Sequence, residues 1–203
     1  MDTTFIDELA GSAPTPGGGG ASAYVGALAC AAASMVGNFT VGKKTYADVE
    51  EQVKDSLVRL EGLRGRLVEL VGEDARAFEP LAAAYRMPKD TDEEKAAKNE
   101  ALQAALYAAC DVPMEIMRAT ASAVDEIDFL AHHGSKMVRS DAGVAAAFAR
   151  AASDGASLNV FINVASMDDA QAVARYRGEV ELLAARTRER CDELFDFVKT
   201  AVS

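Results

Sequence analysis

The sequence predicts an all-α protein, a single-domain helical bundle of about six to nine helices spanning residues 1–203. Half of the 203 residues are apolar, which is enough for a sizeable core. No segment alternates apolar and polar residues as a half-buried strand does. The long segments instead repeat their apolar residues at helical spacing, as at Val49, Val53, Leu57 and Leu60. Aromatic residues are few and Trp is absent, so Ala, Leu and Val must build the core.

The first half of the chain predicts three helices. A short helix is expected to begin at Thr3 or Thr4, with Asp7 placed for a capping box. The second covers 21–41 and is rich in Ala and Gly. The third, 46–85, contains Pro80, which is expected to kink it because proline cannot donate the helical hydrogen bond.

The second half predicts three more helices. Thr91 and Glu94 form a capping-box pattern at the start of a helix that reaches about residue 131 and bends near Pro113. Ser140 is expected to cap a helix that runs to about residue 164. Ser166, with an aspartate three residues later, is expected to begin the last helix, which ends near residue 199.

Charge and cysteine content narrow the functional class. The formal net charge of −11 disfavours nucleic acid and anionic membranes as partners. The segment 21–41 is long enough to span a bilayer, but its Ala, Gly and Ser content favours a buried central helix. The three cysteines are scattered and odd in number, and the N-terminus lacks a basic signal pattern. These features predict a cytoplasmic protein with reduced cysteines.

A glycine-rich stretch precedes the second helix and carries the strongest functional signal. Four glycines, Gly17 to Gly20, follow Pro14-Thr15-Pro16, and this composition disfavours regular structure there. The following helix would present unpaired N–H groups to an anion, and Lys43 and Lys44 stand past its far end. The stretch fits neither common phosphate-binding fingerprint, so a flexible linker is the open alternative.

Asp74 is the first candidate for proton transfer. It falls on the apolar stripe of the third helix, with Leu67, Val71 and Phe78 as its neighbours one or two turns away. A carboxylate on a buried face must be paired, hydrogen-bonded or protonated, and its pKa rises towards the range useful for acid–base catalysis. The alternatives are a solvated rim position or an ion pair with Arg76 or Arg86.

Other polar residues are weaker candidates. Asp141 follows Ser140 and is the second choice for the acid or base, although an acid in a first helical turn is ordinary. Buried amides at Asn38, Asn159 and Asn163 either tie helices together or bind a ring, with the structural interpretation slightly favoured. His132 and His133 point to different sides of a helix, so no metal site is predicted.

The order of several segments resembles the formimidoyltetrahydrofolate cyclodeaminase / methenyltetrahydrofolate cyclohydrolase family. The segments are PTPGGGGASAYVGALACAAASMVGNFTVGKKTYADVEEQV, GEDARAFEPLAAAYRMPKDTDEEKAA, SDAGVAA and LNVFINVASMDD. Together they cover nearly all of the chain, and Glu73-Asp74 matches the family pattern. One departure is Gly20, where the family often has Ser after three glycines, with Ser22 two positions later.

The resemblance implies chemistry on the one-carbon unit of tetrahydrofolate, with no metal and no cofactor beyond the tetrahydrofolate derivative itself. A cyclohydrolase would open the methenyl bridge with water, and a cyclodeaminase would close formimidoyl-tetrahydrofolate and release ammonia. These 203 residues contain no formimidoyltransferase region, which favours the cyclohydrolase. A non-catalytic bundle that binds folate or a protein is the alternative of another class.

The predicted site follows from this function. Asp74 or Asp141 would move the proton, and the basic residues would hold a substrate tail of one or several glutamates. The expected substrate-binding residues are Pro16, Gly17, Gly18, Gly19, Gly20, Asn38, Lys43, Lys44, Phe78, Arg86, Lys89 and Ser140. A homodimer is expected because the long helices carry more apolar surface than one bundle covers, and the family resemblance implies the same.

Overall fold

A computed structural model describes residues 2–203 and contains six α-helices in that range and no strand. The helices are α1 (Thr4–Leu9), α2 (Gly18–Asn38), α3 (Glu50–Arg86), α4 (Asp92–His133), α5 (Arg139–Val164) and α6 (Ala170–Val202). Two short 3-10 segments, Lys44–Val49 and Lys136–Val138, lead into α3 and α5. The predicted all-α class is confirmed.

Helix α2 lies at the centre of the bundle. It packs against α3 and α5 along its length and also touches α4, while α6 packs across α4 and α5. It is long and apolar enough to cross a membrane, yet more than half of it is buried by neighbouring helices. This burial is what a core helix of a globular bundle requires.

Small residues allow the close packing of α2. A buried small residue recurs at alternating spacings of four and three along one face: Gly19, Ala23, Gly26, Cys30, Ala33 and Gly37. A Cβ added at Gly26 would lie 3.2 Å from a Leu67 methyl group, and one at Gly37 would lie 2.7 Å from Leu57. Large side chains of α3 therefore occupy the space that α2 leaves empty.

Helix ends differ from several sequence predictions. Thr91 forms the predicted capping box, since it accepts a hydrogen bond from the Glu94 N–H and the Glu94 carboxylate accepts one in return. The Ser140 cap is wrong, because α5 begins at Arg139 without a side-chain cap. Asp169, rather than Ser166, caps α6.

Helix α1 begins at Thr4, as predicted, whereas its cap and the start of α2 differ from the predictions. Asp7 makes no capping box; its carboxylate accepts a hydrogen bond from the Thr3 hydroxyl instead. Helix α2 includes Gly18, Gly19 and Gly20 as its first turn, so the expectation of irregular structure there is wrong. Helices α3 and α4 continue through Pro80 and Pro113.

Candidate functional site

The N-terminus of α2 meets the middle of α3 at a half-buried carboxylate. The Asp74 Oδ2 atom accepts a hydrogen bond of 2.8 Å from the Gly20 N–H, which belongs to the first turn of α2. A side chain from another helix therefore performs the function of an N-cap. The prediction that Asp74 lies on a buried face is confirmed, and no ion pair joins it to Arg76 or Arg86 within residues 2–203.

Gly19 makes this contact possible. A Cβ added at Gly19 would lie 2.1 Å from the Asp74 Oδ1 atom, which is far closer than two such atoms can approach. The Asp74 carboxylate thus occupies the volume that any other residue at position 19 would fill. This steric requirement explains glycine at position 19 even though glycine is a poor helix former.

The surroundings of Asp74 favour its neutral form. Burial raises the pKa of the Asp74 carboxyl above its ordinary value of 3.8, and the hydrogen bond from Gly20 opposes this only in part. A carboxyl with a raised pKa exchanges a proton more readily near neutral pH than an exposed aspartate does. Asp74 is therefore suited to act as a general acid or base.

A cleft of about 210 Å³ opens beside Asp74. It lies between the glycine-rich segment, α3, α4 and the C-terminal end of α5. Its lining residues are Pro14, Thr15, Gly17, Gly18, Asp74, Phe78, Ala109, Asn159, Ile162 and Asn163. Apolar walls with a few inward polar groups are typical of a small-molecule site.

The predicted residues of the glycine-rich segment divide between two surfaces. Gly17 and Gly18 line the Asp74 cleft. Gly20 donates a hydrogen bond to the Asp74 carboxylate, and Gly19 packs against it. Pro16 instead faces a second, larger groove between α1 and α3, on the other side of the segment. Five residues of the predicted site, Gly17 to Gly20 and Phe78, therefore gather around Asp74.

A second predicted group lies at the opposite end of α2. Asn38 ends that helix, and the 21 residues from Gly18 to Asn38 separate its two ends by about 30 Å. Lys43 and Lys44 follow there, and the Lys43 Nζ atom lies 3.5 Å from the Ser135 Oγ atom. None of the three is part of the Asp74 cleft of its own chain.

Ser140 and Asp141 belong to the same distant end. They stand in the first turn of α5, about 27 Å along that helix from Asn159, because Asn159 lies 18 positions after Asp141. Helices α2 and α5 run antiparallel, since Gly18 packs beside Asn159 while Thr40 bonds to Ser135 before α5 begins. Asp141 therefore shares no site with Asp74 in one chain.

Arg86 and Lys89 are also remote. Arg86 ends α3, about 18 Å beyond Asp74 along the helix, and both side chains are exposed. The long helices hold residues at their opposite ends far apart, so these residues lie outside the Asp74 cleft of their own chain.

Asn159 and Asn163 line the cleft, although the sequence slightly favoured a structural role for both. Each side chain makes a hydrogen bond to a backbone carbonyl and also lines the cleft. The Asn163 Nδ2 atom donates to the Ala109 carbonyl of α4 at 2.7 Å, and the Asn159 Nδ2 atom donates to the Gly155 carbonyl at 3.0 Å. Their four-residue spacing was visible in the sequence, but their meeting with α2 depends on the antiparallel packing.

Metal-ligating residues are not grouped in the part of the chain that the structure describes. Within residues 2–203, no three His, Cys, Asp or Glu side chains lie together in a way that could hold a metal ion. His132 stacks on Phe197, with ring centroids 4.1 Å apart, and lies away from the cleft. The absence of a metal stays a prediction.

Comparison with known proteins places this geometry in context. The formiminotransferase-cyclodeaminase family model matches residues 2–182. A protein of Methylorubrum extorquens named methenyltetrahydrofolate cyclohydrolase is 42% identical over 98% of this chain and 96% of its own length. The formimidoyltransferase-cyclodeaminase of Sus scrofa is 32% identical over 97% of this chain, which spans 34% of that longer protein.

A solved structure shares the fold. The crystal structure of formiminotetrahydrofolate cyclodeaminase from Thermotoga maritima superposes with a TM-score of 0.81 and is 32% identical in sequence. The match covers 99% of this chain and 95% of the other. The bundle described above is therefore that of the Thermotoga protein.

Proposed function

The chain belongs to the formiminotransferase-cyclodeaminase family, and from this premise we propose that it is a methenyltetrahydrofolate cyclohydrolase. It would convert methenyltetrahydrofolate and water into 10-formyltetrahydrofolate. The observation that carries the proposal is the half-buried Asp74 carboxyl, hydrogen-bonded to the first turn of α2 and open to a small cleft. The identity of the substrate is inferred from the full-length similarity to the Methylorubrum protein.

The proposed reaction needs a group that moves protons in two directions. Water attacks the cationic methenyl carbon between N5 and N10, and Asp74 takes a proton from the water as the carbon becomes tetrahedral. Asp74 then returns a proton to N5 as the bond between that carbon and N5 breaks, which leaves the formyl group on N10. One further proton is released to solvent. A carboxyl whose pKa is raised by burial suits both steps.

The charge of the substrate fits the same carboxylate. The methenyl bridge is a cation, and a desolvated carboxylate attracts it more strongly than an exposed one does. Phe78 and Ile162 supply apolar walls on two sides of the cleft. The reaction consumes only water, so we propose no cofactor beyond the tetrahydrofolate derivative.

The choice between the two family reactions rests on similarity over the whole length. The Methylorubrum cyclohydrolase matches along 96% of its sequence, whereas the longer formimidoyltransferase-cyclodeaminase of Sus scrofa matches along about a third. The full-length structural match to the Thermotoga cyclodeaminase favours the second candidate, formimidoyltetrahydrofolate cyclodeaminase. Asp74 would then donate a proton to the departing ammonia.

One experiment separates the candidates. Purified protein is offered methenyltetrahydrofolate and formimidoyl-tetrahydrofolate separately, and the near-ultraviolet absorbance of the methenyl form is followed. Loss of that absorbance beyond the uncatalysed rate supports hydrolysis, while its growth together with ammonia release supports deamination. No change with either substrate would contradict both and support a non-catalytic binding bundle.

We also propose a homodimer formed by the outer face of α2. Four large apolar side chains lie on that face at helical spacing and remain about 40% exposed: Tyr24, Leu28, Met35 and Phe39. Leu158 and Ile162 of α5 add a second exposed apolar strip beside the cleft. Such a continuous apolar face is usually buried against a partner, and a twofold contact would use the same face of both chains.

A twofold contact centred on Leu28 would complete the cleft. Two α2 helices paired antiparallel about that residue would place Phe39 of each chain opposite Gly18 of the other, since both lie 10 or 11 residues from the centre. Lys43, which lies over the Phe39 ring, would then stand beside the partner's glycine-rich segment. We propose that Lys43 and Lys44 hold the glutamate tail of substrate bound by the partner subunit.

The size of the cleft supports this arrangement. About 210 Å³ in one chain is below the 300–1,000 Å³ or so of ordinary ligand pockets. The pterin end of the substrate would fill that space, and its aminobenzoyl and glutamate parts would extend over the α2 face.

The three cysteines are free and buried, which supports the further proposal of a cytoplasmic location.

A further inference from the structure

Two asparagine side chains enter the Asp74 cleft with their orientation set by the fold. The Nδ2 atoms of Asn159 and Asn163 donate to backbone carbonyls, that of Gly155 in α5 and that of Ala109 in α4. No donor within residues 2–203 reaches the Oδ1 atom of either asparagine. The Oδ1 atom of each asparagine can therefore still accept hydrogen bonds from a ligand.

Asn159 and Asn163 are placed to accept hydrogen bonds from the polar edge of a flat ring. Residues four apart on a helix lie side by side, with about 5–6 Å between their Cβ atoms. The Asn159 amide also lies against Gly18, since a Cβ added there would be 3.8 Å from the Asn159 Oδ1 atom. Both asparagines therefore line the cleft, with Asn159 beside the first turn of α2.

We propose that Asn159 and Asn163 recognise the N3–H and 2-amino donors of the pterin ring, an inference that rests on the proposed function. Half-buried acceptors without a partner lose hydrogen bonds on ligand binding unless the ligand brings donors. The pterin edge brings donors side by side. Asp74 is then left free for the one-carbon end of the same ligand.

The neutrality of the amides matters for the chemistry. A carboxylate in place of either asparagine would put a second negative charge near Asp74. Two like charges in one small cleft would raise the pKa of Asp74 further and hold it protonated. Amide oxygens supply the acceptors that the ring edge requires and leave the proton equilibrium of Asp74 unchanged.

The test measures binding without turnover. Equilibrium titration compares tetrahydrofolate with an analogue in which a methyl group replaces the 2-amino group. The wild-type protein is expected to bind the analogue about tenfold or more weakly, because it leaves an acceptor unpaired. In Asn159→Leu and Asn163→Leu, most of that difference is expected to disappear. Asn99→Leu is the matched control, since Asn99 bonds Asp168 away from the cleft.

The possible outcomes separate the alternatives. Full discrimination in both leucine variants would overturn the inference, and its loss in Asp74→Asn alone would assign the ring edge to the carboxylate. If Asn163→Leu fails to fold, Asn159→Leu decides, because its hydrogen bond stays within α5. Tetrahydrofolate that fails to bind wild-type protein would overturn the inference and the proposed function together. Normal discrimination without turnover would contradict the reaction alone.

Discussion

The two ends of α2 both carry predicted ligand-binding residues, yet they are built in opposite ways. At the N-terminal end, Gly19 has no room for a side chain, and the Asp74 carboxylate is fixed by a hydrogen bond. At the C-terminal end, Gly42 has open space around it and needs glycine only for its φ of 78°. Lys44 there is exposed, and Lys43 lies 5.4 Å from the Phe39 ring centroid.

The difference separates two kinds of function. A group that transfers a proton must stand within hydrogen-bond reach of one atom, so the N-terminal end tolerates little displacement. A group that attracts a flexible anionic tail acts through charge over several ångströms, so the C-terminal end needs cations more than fixed geometry. Substitutions at the first end should therefore affect turnover, and those at the second end should affect affinity.

The largest effect is expected from Asp74→Asn. Turnover should fall about 100-fold or more while the fold persists, because the amide cannot exchange the proton. Steady-state kinetics and circular dichroism measure the two properties, and Glu79→Gln on the exposed side of α3 is the control. Near-normal turnover in Asp74→Asn would show that Asp74 does not move the proton.

The same variant has a predicted pH signature in stability. Burial raises the pKa of Asp74 above 3.8 in the folded protein, so its contribution to stability is present below 3.8 and is lost as pH rises through the folded value. Asp74→Asn should therefore be more stable than wild type at neutral pH, and the difference should shrink as pH falls. Urea unfolding at several pH values checks this. A difference that grows on acidification would show that the folded pKa is depressed.

Gly19→Ala should come next in size. The added methyl group would displace the Asp74 carboxylate and cost about 1–3 kcal/mol of stability, with turnover reduced by an order similar to that in Asp74→Asn. Gly62→Ala in α3 is the matched control, because nothing lies within 4 Å of its added Cβ. That variant should gain about 0.5–1 kcal/mol and keep its activity. Full activity in Gly19→Ala would show that the carboxylate position is not critical.

Leu28→Glu tests whether the two ends belong to one assembled site. Leu28 is 41% exposed at the centre of the apolar face, so a charge there should prevent dimerisation without disturbing the core. Light scattering at micromolar concentration should report a dimer for wild type and a monomer for the variant, whose affinity for substrate should fall about tenfold or more. Leu182→Glu, on a more exposed site of α6, is the control. A wild-type monomer with full activity would contradict both the dimer and the shared site.

The smallest effect is expected from Lys43→Ala combined with Lys44→Ala. Each exposed contact to the glutamate tail should be worth about 0.2–1 kcal/mol, so polyglutamylated substrate should lose more affinity than the monoglutamate. Titrations at low and high salt measure the difference, which should narrow as salt screens the charges. Equal losses for the two substrates would rule out tail recognition by these lysines.

The sequence predicted the position of Asp74 on a partly buried face better than it predicted the extent of the cleft. Asp74 stood out because a carboxylate interrupts an apolar helical stripe, a pattern that needs no knowledge of the neighbouring helices. The length of the predicted helix 21–41 already separates Gly18 from Lys43 by about 30 Å, which is too far for one small cleft. The start of α2 was misplaced by three residues, because glycine has low helix propensity and tertiary packing against Asp74 overrides it.

Contacts between distant segments account for the rest. Asn159 and Asn163 join the cleft only because α5 runs antiparallel to α2, and no local pattern in either segment indicates that pairing. The capping box at Thr91 was predictable because both partners lie within four residues. Local hydrogen bonds were thus visible in the sequence, whereas the assembly of the cleft was not.

The small residues that let α2 pack closely also set the order in which the chain can fold. Five glycines make an isolated α2 peptide unstable as a helix, at a cost of about 0.8–1 kcal/mol each. One of its two main supports, α5, begins about 100 residues later. During synthesis, we therefore expect α2 to become stably helical only after α5 has emerged. Its amide hydrogens should accordingly exchange with solvent mainly through global unfolding, and a chain ending before α5 should leave them unprotected.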